Sequence, residues 1–450
     1  MSLEDLQKDR REAALADFSR AIAINPDYVW ARYQRGQVLR ELGRTEEALA
    51  DFIHAASLEP DDAPVQAELG ETLRLLRRYP EAVEAFSRAI ERDPTYAWAI
   101  GSRGQVFRSL RRYDEALADF ERALVVDPSL AWVIAERGET FRALGRYDEA
   151  VIEFSRALER DPTYAWALGH RAIAYREQGR YAEAIADLDR AIELTPGYAW
   201  LYAERGEAHR LLDQYDEALA DLSRALELEP NYAWALGSRG AAYRVTGQEQ
   251  AALNDFARAL ELDPAYVWVY MQRGMLHRNA GRTEEALADF TRAIELDPQH
   301  SGAFAERGEL HRLARQYEQA LADFTRALEL RPDYAWALGS RGQTLRSLGR
   351  YDEAVADLTR ALELRPDTAW VMAERGECYR MLKRYDEAVA DLSRAIELNP
   401  NDSWSLSRRG ATYQAMKIFE EAYIDLTRAI ELDPNNAWAW AQRGSLFRQM

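Results

Sequence analysis

The sequence predicts an all-α fold, a solenoid of helix-turn-helix hairpins with a 34-residue period. Three observations carry this reading. Thirteen prolines, from Pro26 to Pro434, stand 34 residues apart with no insertion or deletion between them. A fixed period of that size marks a stacked array, in which each unit buries its apolar face only against its neighbours. Within every period apolar residues recur at helical spacing on two segments, with no alternation of the kind a strand would show. The chain is also 47% apolar and 30% charged, which suits a continuous core under a large solvated surface.

Residues 97–130 represent the hairpin. Ile100, Arg103, Gly104 and Phe107 follow the i, i+3, i+4, i+7 pattern of one helix face. Leu110-Arg111-Arg112-Tyr113 makes the turn, and the sister repeat has Leu-Gly-Arg-Tyr at Leu144 to Tyr147. Asp114 is expected to cap the second helix. Ala116, Phe120 and Ala123 mark that helix's inner face. Asp127-Pro128 ends it, because proline lacks a donor and restricts the residue before it. The unbroken period makes residues 1–450 one elongated domain. In it, 1–28 are a half repeat with the second helix only, 29–436 are twelve full repeats, and 437–450 are a half repeat with the first helix only.

Gly104, Phe107, Tyr113, Ala116, Phe120, Ala123 and Pro128 are spaced as in the tetratricopeptide repeat, and the chain resembles that family from end to end, in the manner of bacterial tandem arrays. The resemblance implies a right-handed superhelix whose first helices line a concave groove for an extended or helical polypeptide. Two departures from the family pattern stand out. Ile100 replaces the usual first-helix aromatic, with Trp98 two residues earlier. Arg103 replaces the usual core leucine.

That arginine recurs, and an acidic residue follows it sixteen positions later. The pairs include Arg103 with Asp119, Arg137 with Glu153, Arg171 with Asp187, Arg205 with Asp221, and Arg239 with Asp255. Only the second repeat lacks the arginine and its partner together, having Leu69 and Ala85. Their joint absence predicts a half-buried ion pair within each hairpin.

A second stripe on the first helix is the candidate groove. It comprises Trp98 and Arg108; Trp132, Glu136, Glu139 and Arg142; Trp166 and Arg176; Trp200, Glu204, Glu207 and Arg210; Trp234 and Arg244; Trp268 and Arg278; Trp336 and Arg346; and Trp370, Glu374, Glu377 and Arg380. Tryptophan, tyrosine and arginine are the side chains that most often carry interface energy. Two readings stay open: the indoles grip a ligand, or they pack against the next repeat and set its pitch. Repeats with two glutamates alternate with repeats bearing Gly101-Ser102 or its equivalents, giving a 68-residue unit. That alternation reads as duplication of a pair, or as acidic patches favouring a basic or mixed-charge segment. Ala63-Pro64 and Ser301-Gly302, which replace the usual Ala-Trp, could open a local pocket or mark an old domain join, and drift is the favoured reading.

The net charge of −18 argues against nucleic acid and anionic membranes as partners. The single cysteine, Cys378, forbids an internal disulfide and fits a cytoplasmic setting. No histidine has metal-ligand spacing, no phosphate loop is present, and the carboxylates follow the period where an active site would break it. We therefore expect no enzyme and no cofactor. The complementary half-hairpins at the two ends suggest head-to-tail self-association, or a fragment of a longer protein. The leading function is a protein–protein interaction scaffold. The alternatives are a sensor array from a larger signalling protein and a self-associating structural solenoid.

Overall fold

The computed structural model describes residues 3–450, with side chains from Asp9 onward; Met1 and Ser2 of the first half repeat lie outside the described residues. In chain order the helices are α1 (Leu3–Ile24), α2 (Val29–Glu41), α3 (Thr45–Leu58), α4 (Ala63–Leu75), α5 (Tyr79–Arg92), α6 (Ala97–Ser109), α7 (Tyr113–Val126), α8 (Ala131–Ala143), α9 (Tyr147–Arg160), α10 (Ala165–Glu177), α11 (Tyr181–Leu194), α12 (Ala199–Leu211) and α13 (Tyr215–Leu228). They continue as α14 (Ala233–Val245), α15 (Glu249–Leu262), α16 (Val267–Asn279), α17 (Thr283–Leu296), α18 (Ser301–Leu313), α19 (Tyr317–Leu330), α20 (Ala335–Ser347), α21 (Tyr351–Leu364), α22 (Ala369–Met381), α23 (Tyr385–Leu398), α24 (Ser403–Ala415), α25 (Phe419–Leu432) and α26 (Ala437–Gln449). Even-numbered helices are the first of each hairpin and odd-numbered helices the second. The paired helices stack in sequence as an α-solenoid.

The turn inside each hairpin follows from one backbone requirement. In the repeat of α6 and α7, Arg111 has φ of +59°. Its N–H donates to the Arg108 carbonyl, and the Arg112 N–H donates to the Phe107 carbonyl, both at 2.9 Å. This is a Schellman turn, which places one residue in the left-handed region. Glycine takes that position at Gly145 and five other turns, while arginine, lysine or aspartate holds it elsewhere. The turn also corrects the expected cap. Arg112 is the N-cap of α7 without a side-chain bond, so Asp114 falls in the first turn, where its charge faces the positive end of the helix dipole. At the other end, Asp127 accepts from the Ser129 N–H at 2.9 Å just beyond Pro128.

Each odd helix buries an alanine-rich stripe. Ala116, Phe120 and Ala123 have no solvent exposure. The phenylalanine lies against a glycine of the partner helix: a Cβ added at Gly104 would stand 2.6 Å from Phe120 Cε1. Glycine is needed there for approach, not for its dihedral freedom. The helices form two compact units, one ending at Ala235 and the other beginning at Leu236. In the first unit, consecutive even helices from α2 to α12 touch, and among the described residues no two consecutive odd helices approach as closely. In the second unit the even helices from α18 to α26 behave the same way. Within each unit the even helices therefore converge and the odd helices fan out, so the even side is the inside of the curve.

Gly104→Ala should overpack the Phe120 ring and destabilise the protein by about 1–3 kcal/mol. Urea unfolding checks this, and an unchanged midpoint would contradict the packing described.

Candidate functional site

The inner face of each unit is made by even helices laid side by side, and its aromatic residues arise from a size rule. Where the residue 31 positions upstream is glycine, the tryptophan near the start of an even helix lies against it on the preceding even helix. Cβ atoms added at Gly101, Gly169 and Gly339 would fall 2.7, 2.2 and 2.4 Å from the indole Cη2 of Trp132, Trp200 and Trp370. At Gly237 the indole of Trp268 lies 3.3 Å away. The upstream residue is alanine at Ala67, Ala135 and Ala203, before Trp98, Trp166 and Trp234, and at Ala305, before Trp336. The indoles are partly buried in this way, and Trp370 keeps 40% of its surface. Tyrosines flank several of them: Tyr96 and Trp98 are 5.9 Å apart, as are Tyr164 and Trp166. From behind, Phe86 meets Trp98 edge-on at 6.2 Å, and Phe154 meets Trp166 at 6.1 Å.

The rule is kept even where tryptophan is missing. Pro64 follows Tyr33, and Gly302 follows Met271, so the upstream residue is bulky only in these two places. A cavity lies at each, as one of about 340 Å³ also lies beside Trp336 in a regular repeat. Of the two at the exceptions, one, of about 330 Å³, is lined by Trp30, Tyr33 and Pro64, and the other, of about 430 Å³, by Met271, Met275 and Gly302. At these two positions the bulky residue has moved to the preceding even helix.

The carboxylates on this face are already held by the chain's own cations. Arg108 reaches Glu136 on the next even helix at 2.9 Å, and Gln105 donates to the same carboxylate at 2.8 Å. Arg176 meets Glu204 at 3.1 Å, and Arg278 and Arg346 pair with Glu306 and Glu374 in the same way. Arg244 instead donates to Gln272 at 3.2 Å. The second glutamate of each acidic repeat is bound within its own helix: Glu139 by Arg142, Glu207 by Arg210 and Glu377 by Arg380, each at 2.7 Å. Glu136, Glu139, Glu207, Glu374 and Glu377 are all buried. The 68-residue alternation is thus an alternation between ion pairs that cross to the next repeat and ion pairs that stay within a helix. The groove presents neutralised layers, not bare acid.

Burial acts unevenly on these groups. It opposes the charge of Glu139, but hydrogen bonds from Arg142 and His170 outweigh it and hold the carboxyl at about 2. Glu204 and Glu306 are pushed upward by burial, against the pull of Arg176 and Arg278. Burial likewise pushes the Cys378 thiol up to about 12, so it stays protonated and unreactive at neutral pH.

The core arginines make a wider tie than the sequence indicated. Arg103 donates to both oxygens of Asp119 at 2.8 Å. Asp187, Asp221 and Asp255 receive Arg171, Arg205 and Arg239 in the same two-pronged way. Arg137 places both donors on one oxygen of Glu153, at 2.9 and 2.7 Å, and Arg156 takes the other oxygen at 2.9 Å. The remaining guanidinium nitrogen reaches backward: Arg103 to Ser87 and Arg171 to Ser155 at 2.9 Å, Arg205 to Asp189 at 2.6 Å. One planar fork therefore fastens its own hairpin and the one before it. In the second repeat, Leu69 and Ala85 occupy the two positions and both are buried.

Among the described residues no group of histidine, cysteine and carboxylate side chains is placed to hold a metal. No described helix is long and apolar enough to cross a membrane.

Arg103→Leu should cost about 3 kcal/mol by stranding Asp119. The double change R103L/D119A should recover most of the loss, since the second repeat holds that apolar pair. Equal instability of the single and double variants in denaturant would contradict the pairing. For pH, a depressed carboxyl contributes stability above its unfolded value of ~4.3, and that contribution is lost as pH falls toward the folded value. Glu139 should therefore remain ionised until pH approaches about 2, while Glu204 should protonate above the usual carboxylate range. Carboxyl carbon NMR titration reads both, and coincident titration of the two would contradict this.

Several models of the tetratricopeptide repeat match the chain, at 2–62, 33–97, 102–165, 153–186, 199–232, 267–300, 301–367 and 335–401, and a TPR repeat model matches 172–213. A protein prenyltransferase alpha subunit repeat matches 419–450. No curated protein matches. The crystal structure of the APC/C hetero-tetramer Cut9-Hcn1 aligns with 98% of this chain and 94% of that chain at 17% identity, with a TM-score of 0.56, a likeness of fold alone. The crystal structure of YrrB, a TPR protein with an unusual peptide-binding site, is 24% identical over 42% of this chain and 97% of that chain, with a TM-score of 0.37. Taken together with the hairpins and their stacking, the repeat models covering most of the chain show that it belongs to the tetratricopeptide repeat family.

Proposed function

We propose that this protein is an interaction scaffold whose inner, even-helix face holds a polypeptide segment of mixed charge. Tetratricopeptide-repeat proteins generally act as protein–protein interaction scaffolds, and the fold gives this chain the same kind of surface. The observation that carries the reading is the row of partly exposed indoles with tyrosine neighbours, repeated on the uncovered side of successive even helices. Such rings offer apolar area at low entropic cost and tolerate many partners.

The ion pairs set the partner's chemistry. Because Glu136, Glu204 and Glu374 are engaged by arginines, the face does not demand a strongly basic ligand. The overall charge of −18 still steers encounter toward segments with some positive charge and away from nucleic acid. The ring edges and the outer guanidinium donors then meet a ligand's backbone carbonyls and acidic side chains.

Site-specific photo-crosslinking from the source lysate tests the proposal. A benzophenone amino acid at Ser109 or Ser347, at the ends of α6 and α20, should capture polypeptides, whereas one at Glu121 on the outer face of α7 should not. Equal capture from both faces, or none from the inner one, would contradict the scaffold reading.

A further inference from the structure

Two helices, α1 and α26, leave open a face that the regular hairpins close. An even helix packs its apolar side against the odd helix of its own hairpin, and among the described residues α26 has no such partner. Trp440 and Phe447, on that side of α26, are 48% and 56% exposed, whereas Ile100 and Phe107 in the same positions of α6 are buried. Gly444 lies between them. A Cβ added there would meet nothing within 4 Å, while one at Gly104 would strike the Phe120 ring. Arg443 keeps its backward bond, to Thr427 Oγ1 at 3.2 Å, and its guanidinium lies 4.6 Å over the Trp440 ring. The forward donors that Arg103 gives to Asp119 meet, in Arg443, no carboxylate among the described residues.

The face of α1 presents what α26 lacks. Ala14, Asp17, Phe18 and Ala21 stand where α7 has Ala116, Asp119, Phe120 and Ala123. All four are buried in α7. In α1, Asp17 is exposed and the other three are only partly covered. The helix is nonetheless seated as in a regular repeat. Phe18 meets Trp30 edge-on at 5.7 Å, as Phe86 meets Trp98 at 6.2 Å. Arg35 on α2 reaches back to Ser19 at 3.2 Å, as Arg103 reaches Ser87. The neighbour that would close α1 is therefore an even helix bearing an arginine followed by a glycine.

We propose that the open face of α26 is a docking site for α1 of a second copy of this chain, the two helices forming a hairpin between molecules. Arg443 closes its fork on Asp17 of the second copy, and Phe18 of that copy fills the notch over Gly444. Both matches use one register, because Arg443 and Gly444 are consecutive and so are Asp17 and Phe18. The same register carries into the next helix, where Ala441 precedes Trp30 of the second copy as Ala67 precedes Trp98. Covering the Trp440 and Phe447 rings supplies the driving force, since exposed apolar patches of this kind mark contact surfaces. Apolar cover alone would not suffice. A guanidinium taken out of water needs a carboxylate, and α1 places one beside the ring that fits the notch. The contact joins different faces of the two copies, so it repeats from molecule to molecule as open chains or closed rings.

Sedimentation velocity of the whole chain across micromolar concentrations tests this. The weight-average mass should rise above the 51.5 kDa of one chain as concentration increases. Arg443→Asp sets a carboxylate against Asp17, and Gly444→Leu fills the notch, so each should raise the concentration of half-association by about tenfold. The exchanged pair D17R/R443D should recover much of the association lost in R443D. Gly444→Leu meets nothing in the single chain and should keep its helical circular dichroism, so it remains decisive if R443D does not fold. A wild-type chain that stays at 51.5 kDa throughout overturns the proposal and leaves the face to another occupant. Association undiminished in folded Gly444→Leu also overturns it, because the contact would then lie elsewhere.

Discussion

Consecutive even helices share one volume, and that volume admits only one bulky group. In ten places the group is a tryptophan set on a glycine, alanine or serine of the repeat before; in the other two it is Tyr33 or Met271, and the tryptophan is gone. Close packing gives this rule its force, since an interior at crystal density has no room for a second large side chain and loses contacts if it holds none. The spacing of the inner face follows from it. Helices held at that distance bring Arg108 within reach of Glu136 and leave one edge of each indole in solvent. The same side chain thus sets the stacking and forms the candidate binding surface, so the two readings of the tryptophans are compatible.

The arginines provide orientation. A leucine in place of Arg103 would bury as well but would specify no direction, whereas a fork bonded to Asp119 ahead and Ser87 behind fixes both the hairpin and its neighbour. Buried ion pairs of this type add little net stability over well-packed apolar residues, and register is their best-supported use. The second repeat, with Leu69 and Ala85 buried in the core, shows that the site also accepts the apolar solution.

Much of this was legible in the sequence because the period aligns every repeat with its neighbours. The prolines located the hairpins, and Ala116, Phe120 and Ala123 gave the buried face of α7. Arg103 and Asp119 were linked by their joint absence from one repeat. Relations that cross a repeat boundary were harder to see. Trp132 and Gly101 are 31 residues apart, and the rule joining them emerges only when the tryptophan is set against the residue before it and not against its own repeat. The carboxylates were left with two readings for the same reason: Glu136 looks free until Arg108 arrives from the preceding helix. Asp114 looked like a cap because aspartate favours that position, but the left-handed residue at Arg111 brings the helix start forward by two residues.

The shared-volume rule is most directly tested by moving the exception into a regular repeat. Gly101→Met, Trp132→Gly and their combination should form a double-mutant cycle in which each single change destabilises the protein and the pair costs less than their sum, with a coupling of about 1–3 kcal/mol. Unfolding free energies that simply add would contradict the account.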